Sequence, residues 1–215
     1  MRNVFCLLLL ILCGCALPIP NVIKDLDSTH HQAIVVQPRH YPPYQARLSY
    51  WQREDGRWQK MYQCPAVIGR NGVAGVGKKK EGDGRTPQGI YAINRAFGYA
   101  SIFPTGLDYR QVGDDDFWVD DPKALTYNQW VKGKPSALSW EILKRGDNLY
   151  RFAAVIEYNT APVVKGAGSA IFIHIWHQYN LPTAGCVALS QRNWRKIITR
   201  LNNKDNPVIV IEGEN

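Results

Sequence analysis

The chain of 215 residues has no apolar run long enough to cross a membrane. Its longest, Val4 to Leu12, falls well short of the about 20 residues that a transmembrane helix needs. Cysteine is scarce: there are five, and Cys6, Cys13 and Cys15 lie in the first fifteen residues. No cluster of His, Cys and Asp has zinc spacing, so neither a metal nor a cofactor is expected. No internal repeat is visible, which excludes solenoids and propellers. Basic residues are in excess, 26 Lys and Arg against 18 Asp and Glu, a formal net charge of +8. Yet no basic run exceeds Lys78-Lys79-Lys80, which argues against nucleic acid as the partner. A solvated basic surface facing an anionic polymer or membrane fits the charge equally well. With 45% hydrophobic and 20% charged residues, the composition excludes disorder, and the length suits one domain.

What the N-terminus does contain is Arg2 and then an apolar stretch, the n-region and h-region of a secretory signal. It ends in Leu12-Cys13-Gly14-Cys15, which resembles a bacterial lipobox and implies a lipid-bearing Cys15 as the mature N-terminus. A plain signal cleaved after Ala16 is the alternative. Residues 1–15 are therefore expected to be the lipoprotein signal, 16–32 a tether and 33–212 the folded domain. No Asp follows Cys15, so the expected location is the periplasm of a Gram-negative bacterium, with the lipid in the outer membrane. Only Cys64 and Cys186 then remain in the domain; in an oxidising compartment pairing is the default, but the neighbourhood of Cys186 is unlike that of a structural cysteine, and both are expected to be reduced thiols.

The pattern along the domain is mainly that of strands. Ala33 to Val36 is β-prone, and Ala46–Glu54 and Arg57–Ile68 flank Asp55-Gly56, a strong hairpin signal. The glycine-rich stretch 69–89 reads as a long loop, and Gly89 to Phe97 as another strand. Tyr150, Phe152, Ala154, Ile156 and Tyr158 alternate, and Ala170 to Trp176 fits a buried strand. Val187–Leu189 leads into Ser190, an N-cap for a helix carrying Trp194, Ile197, Ile198 and Leu201. Ser136 to Arg145 reads as a second short helix, and Pro207 to Glu212 as a closing strand. The fold class expected is mainly β (α+β), with one or two helices.

Gly72 to Lys79 comes within one residue of a phosphate-binding loop, but Lys79 stands where the magnesium-binding Ser or Thr would be. No helix signal follows, so the stretch reads as a flexible surface loop and no nucleotide is expected. Chemistry concentrates instead in 172–189. His174 lies inside an apolar strand, and Gly185-Cys186 begins another strand twelve residues after it. An imidazole beside a thiol stabilises thiolate, and a glycine frees backbone N–H groups to meet an oxyanion. A satisfied core histidine and a buried structural cysteine are the bland alternative. His174, fixed in the strand, is the expected base; His177 falls where the loop begins.

These residues resemble the L,D-transpeptidase catalytic domain, or YkuD, family. The resemblance runs in order through Glu81-Gly82-Asp83-Gly84-Arg85-Thr86-Pro87, Trp118-Val119-Asp120-Asp121-Pro122 with Tyr127-Asn128, Gly168 to His174, and Thr183-Ala184-Gly185-Cys186. It spans about residues 33–212 and is closest to a secreted branch marked by Thr-Ala-Gly-Cys. It implies a β-sandwich-like catalytic domain with one or two helices. It also implies a Cys186 nucleophile, a His174 general base and acid, and an oxyanion held by backbone at Gly185. The implied substrate is a peptidoglycan tetrapeptide stem, cut through a thioester to give 3→3 cross-links or another amine adduct. An L,D-carboxypeptidase or amide hydrolase using the same pair, and a non-catalytic wall-binding lipoprotein, are the alternatives. The usual motif carries His immediately before Gly-Cys, where this chain has Ala184. Arg85, Asp121, Tyr127, Asn128 and Thr183 are candidate substrate-binding residues. Asp114–Asp116, Asp120 and Asp121 equally suit a solvated loop with turns before Pro122.

Overall fold

The computed structural model describes residues 19–213. Helix α1 (Asn21–Lys24) precedes β1 (Gln32–Pro38), β2 (Gln45–Glu54) and β3 (Arg57–Val67), an antiparallel meander. Two short strands, β4 (Val73–Ala74) and β5 (Thr86–Pro87), pair with each other. Next come β6 (Gly89–Ala92), β7 (Arg95–Gly98) and β8 (Asp108–Gln111). A separate sheet holds β9 (Asp116–Val119), β10 (Trp130–Lys132) and β11 (Trp140–Ile142), with β9 central. The chain then supplies β12 (Phe152–Val155), β13 (Phe172–Ile175), β14 (Val187–Leu189), helix α2 (Gln191–Ile198) and β15 (Val208–Ile211). Ten strands form one large sheet in the order β6-β15-β1-β2-β3-β14-β13-β12-β7-β8.

That sheet curls. The run Gly89 to Phe97, expected to be one strand, falls in two: β6 pairs with β15 near one edge and β7 with β12 near the other. The chain joins them at Ile93, whose amide bonds Pro207 O while the Ala92 carbonyl accepts from Glu157 N. Period-two alternation then fills both faces. Phe152, Ala154 and Ile156 point into the curl with Leu48, Ile173 and the α2 residues Trp194, Ile197 and Ile198. Ala153, Val155, Phe172 and Cys186 point outward, beneath Trp118 and Leu143 of the small-sheet region. The α2 cap forms as expected, with Ser190 Oγ accepting from Asn193 N at 3.2 Å. Phe172 meets Phe97, Trp118 and Tyr150 edge-on at 5.1–5.6 Å between centroids. Such pairs each add about 0.5–1.5 kcal/mol beyond area burial.

Three expectations are corrected. Ser136–Arg145 is not a helix: Trp140–Ile142 pairs with β9, because Leu143 buries completely beside Trp118 while Leu138 stays exposed. The stretch 69–89 is not wholly loop, since Val73–Ala74 and Thr86–Pro87 pair and Thr86 is fully buried. The tether reading fails for part of 16–32: Ile23 has no exposed surface and packs with Val35, Trp51 and Val210, helped by Ile19, Val22 and Leu26. Cys15 and the signal lie outside the described residues.

Candidate active site

Strands β13 and β14 run parallel, with His174 opposite Ala188 and Ile173 opposite Val187. Cys186 immediately precedes β14, two positions from Ala188, so alternation sends its side chain to the face that carries His174. Both side chains are buried, and both line a cavity of about 410 Å³. The thiol donates to Ala170 O at 3.3 Å and accepts the Phe172 amide at 3.4 Å. Ala170 sits at φ +53°, a left-handed conformation costly for alanine. Asn128 Oδ1 holds it there by accepting its amide at 3.1 Å.

His174 Nδ1 lies 2.8 Å from the carbonyl of Ile175, and the Tyr150 ring meets the imidazole edge-on at 5.2 Å. Burial pushes the imidazole down to about 4, so it is neutral at pH 7. A neutral ring facing a carbonyl carries its proton on Nδ1, which leaves the Nε2 lone pair free to act as a base. Burial likewise pushes the Cys186 thiol up to about 12. The resting site is therefore a neutral thiol and a neutral imidazole. Burial disfavours both charged forms, so the thiolate is left to be generated by His174 as the general base, the role the family resemblance implies.

The Gly-Cys turn is clamped. Gly185 has φ +154°, and a Cβ there would lie 2.9 Å from Arg85 O and 3.2 Å from Ile171 Cδ1. Thr86 Oγ1 donates to Gly185 O at 2.8 Å and accepts from Gly69 N at 2.9 Å. Thr183 Oγ1 donates to Cys186 O at 2.7 Å and accepts from Gly185 N at 3.1 Å. Cys64 is a second free thiol, buried in the core inside the curl while Cys186 belongs to the outer one, so the default disulfide does not form.

Of the expected substrate-binding residues, Thr183 lines the cavity and four do not. Arg85 reaches Val73 O at 3.1 Å. Asp121 accepts from Lys123 N and Leu138 N and so orders its own loop. Tyr127 donates to Glu81 Oε2 and accepts from Gly168 N. Asn128 Oδ1 also accepts from Trp118 Nε1, and its Nδ2 donates to Tyr158 O and Asn159 O. Tyr127 and Asn128 thus hold the 168–170 backbone whose Ala170 carbonyl meets the thiol. His177, at the cavity rim, is exposed and lies 3.9 Å from Asp147.

Sequence reasoning missed part of the wall. Lys79, read as part of a surface loop, is buried at the cavity and pairs with Asp83 at 2.6 Å. Glu81 lines the cavity too, and Ser169 donates to it at 2.7 Å. Asp120, Glu141, Arg145 and Tyr150 line it as well. Asp120 had stood among the solvated loop acids, and the false helix hid Glu141.

A thiol and an imidazole thus stand on one face of adjacent parallel strands and share a cavity in a mainly β domain. The chain belongs to the YkuD family: the model of the L,D-transpeptidase catalytic domain matches residues 32–210. No curated protein matches it. Among solved structures, "Structure of Bdellovibrio bacteriovorus Bd1075" is similar at 18% identity and a TM-score of 0.45, over 85% of this chain. The chain spans 48% of that protein's length.

Proposed function

We propose that this domain is a cysteine-dependent L,D-transpeptidase of the Thr-Ala-Gly-Cys branch, acting on tetrapeptide stems of peptidoglycan. The observation that carries the reading is the pair His174 and Cys186 on one face of adjacent strands, lining one cavity. Binding of a stem peptide brings the carbonyl after its L-centre, meso-diaminopimelate in the usual substrate, to Cys186 Sγ. Because thiol and imidazole rest neutral, the proton moves from Sγ to His174 Nε2 as the C–S bond forms. The Cys186 amide holds the oxyanion, since that of Gly185 is already engaged by Thr183. The imidazolium protonates the departing D-residue's amine, and the thioester awaits an amine. Ala184 leaves this chain without the usual second histidine, so one imidazole performs both proton transfers of acylation.

Intact-mass measurement with a carbapenem tests acylation. One adduct is expected on the wild type and on Cys64→Ala, and none on Cys186→Ala or His174→Ala. His177→Ala keeps the adduct. No adduct on the wild type, together with untouched tetrapeptide muropeptides, would leave a wall-binding lipoprotein as the better account. The same reading takes the mature protein to carry lipid on Cys15 and to face the periplasm from the outer membrane. Palmitate labelling that persists in Cys15→Ser would refute that anchor.

A further inference from the structure

The cavity's charges do not balance locally. Asp120 and Glu141 line one wall together with a single cation, Arg145. That guanidinium is committed elsewhere: its Nε and Nη2 grip both oxygens of Asp147, and only Nη1 reaches Glu141 Oε2, at 3.4 Å. Glu141 Oε2 also accepts the Tyr150 hydroxyl at 3.3 Å, while Oε1 has no partner among the described residues. Asp120 Oδ1 is buried and takes no hydrogen bond. On the far wall Lys79 is already tied to Asp83, and Arg70 sits exposed at the rim. A buried carboxylate oxygen such as Asp120 Oδ1, left without a partner at a cavity wall, is costly unless a ligand supplies one. The thiol shares this cavity, so the missing cation would lie beside the reacting carbon. Burial and the neighbouring Asp120 together hold Glu141 above the usual carboxylate range, against the pull of Arg145, which suits it to take up a proton.

We propose that Asp120 and Glu141 form the wall that captures the amine acceptor as its ammonium ion, with Glu141 taking the proton that frees the amine to attack. This rests on the thioester reading above. The ammonium N–H breaks and an O–H forms on Glu141. The amine nitrogen then bonds the thioester carbon, the C–S bond breaks, and its electron pair leaves on Cys186 Sγ. The second nitrogen proton passes through His174 Nε2 to that sulfur and restores the thiol. Glu141 returns its proton to solvent.

The experiment incubates full-length enzyme with disaccharide-tetrapeptide as donor and acceptor, with and without hydroxylamine, and measures dimer, hydroxamate and hydrolysed tripeptide by mass spectrometry. Hydroxylamine is an amine nucleophile that is uncharged at neutral pH and needs no carboxylate to hold or deprotonate it. Glu141→Gln and Asp120→Asn should each lower the dimer-to-tripeptide ratio at least about tenfold, as loss of a charged hydrogen bond implies. The hydroxamate-to-tripeptide ratio should hold, and Asp114→Asn, at an exposed side chain far along the loop, should change neither. Carbapenem adducts should still form on both wall variants, and faster on Glu141→Gln, where a negative charge that raises the thiol is gone. An unchanged dimer ratio in both variants, or hydroxamate falling in parallel with dimer, overturns the proposal. A wild type that forms adduct and tripeptide but no dimer also overturns it while sparing the thioester reading. A wild type that forms neither adduct nor product overturns the thioester reading itself.

Discussion

Replacing Asn128 separates two roles that its motif allows, touching substrate or holding the frame. In Asn128→Ala the indole N–H of the fully buried Trp118 and the amide of Ala170 both lose their acceptor. Each orphaned buried donor costs about 1–3 kcal/mol. Alanine must also take up φ +56°, a left-handed conformation that costs about 1–2 kcal/mol. A loss of about 4–5 kcal/mol is expected, a large part of the about 5–15 kcal/mol that folded domains possess. For a chain of this length each kcal/mol is worth about 2–4 °C, so the midpoint should drop by roughly 10–15 °C. Urea titration and calorimetry measure both quantities. Asn128→Gly loses the same hydrogen bonds without the strain and should be about 1 kcal/mol more stable than the alanine variant. Because Ala170 O accepts the Cys186 thiol, carbapenem acylation should slow in both variants. Stability within about 1 kcal/mol of wild type, with only KM for the tetrapeptide raised, would refute the framing role.

Further outcomes follow from the same contacts. His174 titrates near 4 when folded and near 6.5 when unfolded, so between those values the unfolded chain binds the extra proton and stability falls as pH drops. Urea unfolding of wild type at pH 7 and pH 4 should differ by up to about 3 kcal/mol from this group, and His174→Phe should remove that share. A slope unchanged in the variant would mean the imidazole is not held neutral. Gly185→Ala should fold but lose at least about a hundredfold in acylation rate, since its Cβ meets the Arg85 carbonyl and moves the turn before Cys186; adduct kinetics by intact mass decide this. Lys79→Met should cost about 1–2 kcal/mol in thermal unfolding, since Asp83 loses its ion pair but keeps the Lys80 and Arg85 amides, and adding Asp83→Asn should recover part of it.

The parts of the fold legible in the sequence were those fixed by neighbours along the chain. Asp55 and Gly56 both take positive φ, as their hairpin requires, and Ser190 caps α2 through Asn193. His174 and Cys186 were legible as a pair because a short connection between two apolar strands leaves them few arrangements. Long-range contacts decided the rest. Ser136–Arg145 reads locally as a short helix, yet the pairing of Trp140–Ile142 with β9 and the burial of Leu143 set its conformation. Lys79 sits among glycines and lysines that read as solvated, and nothing local announces that Asp83 and the cavity will bury it. Tyr127 and Asn128 carry a motif, but a motif does not say whether its side chains face a ligand or the protein.

The pairing of β1 with β15 has a consequence for the order of assembly. Residues 33–36 lie beside residues 208–211, and those same four also bond residues 89–92, so an inner strand of the sheet is the last strand to be made. Until Val208–Ile211 arrives, one side of β1 and all of β6 lack partners, and the run Ala33 to Val36 is an open apolar edge. Contacts of such sequence separation make folding slow and chain-wide. A chain lacking residues 208–211 keeps Cys186 and His174 and still has no complete sheet to hold them, so removal of Val208–Ile211 should be as disabling as removal of Cys186.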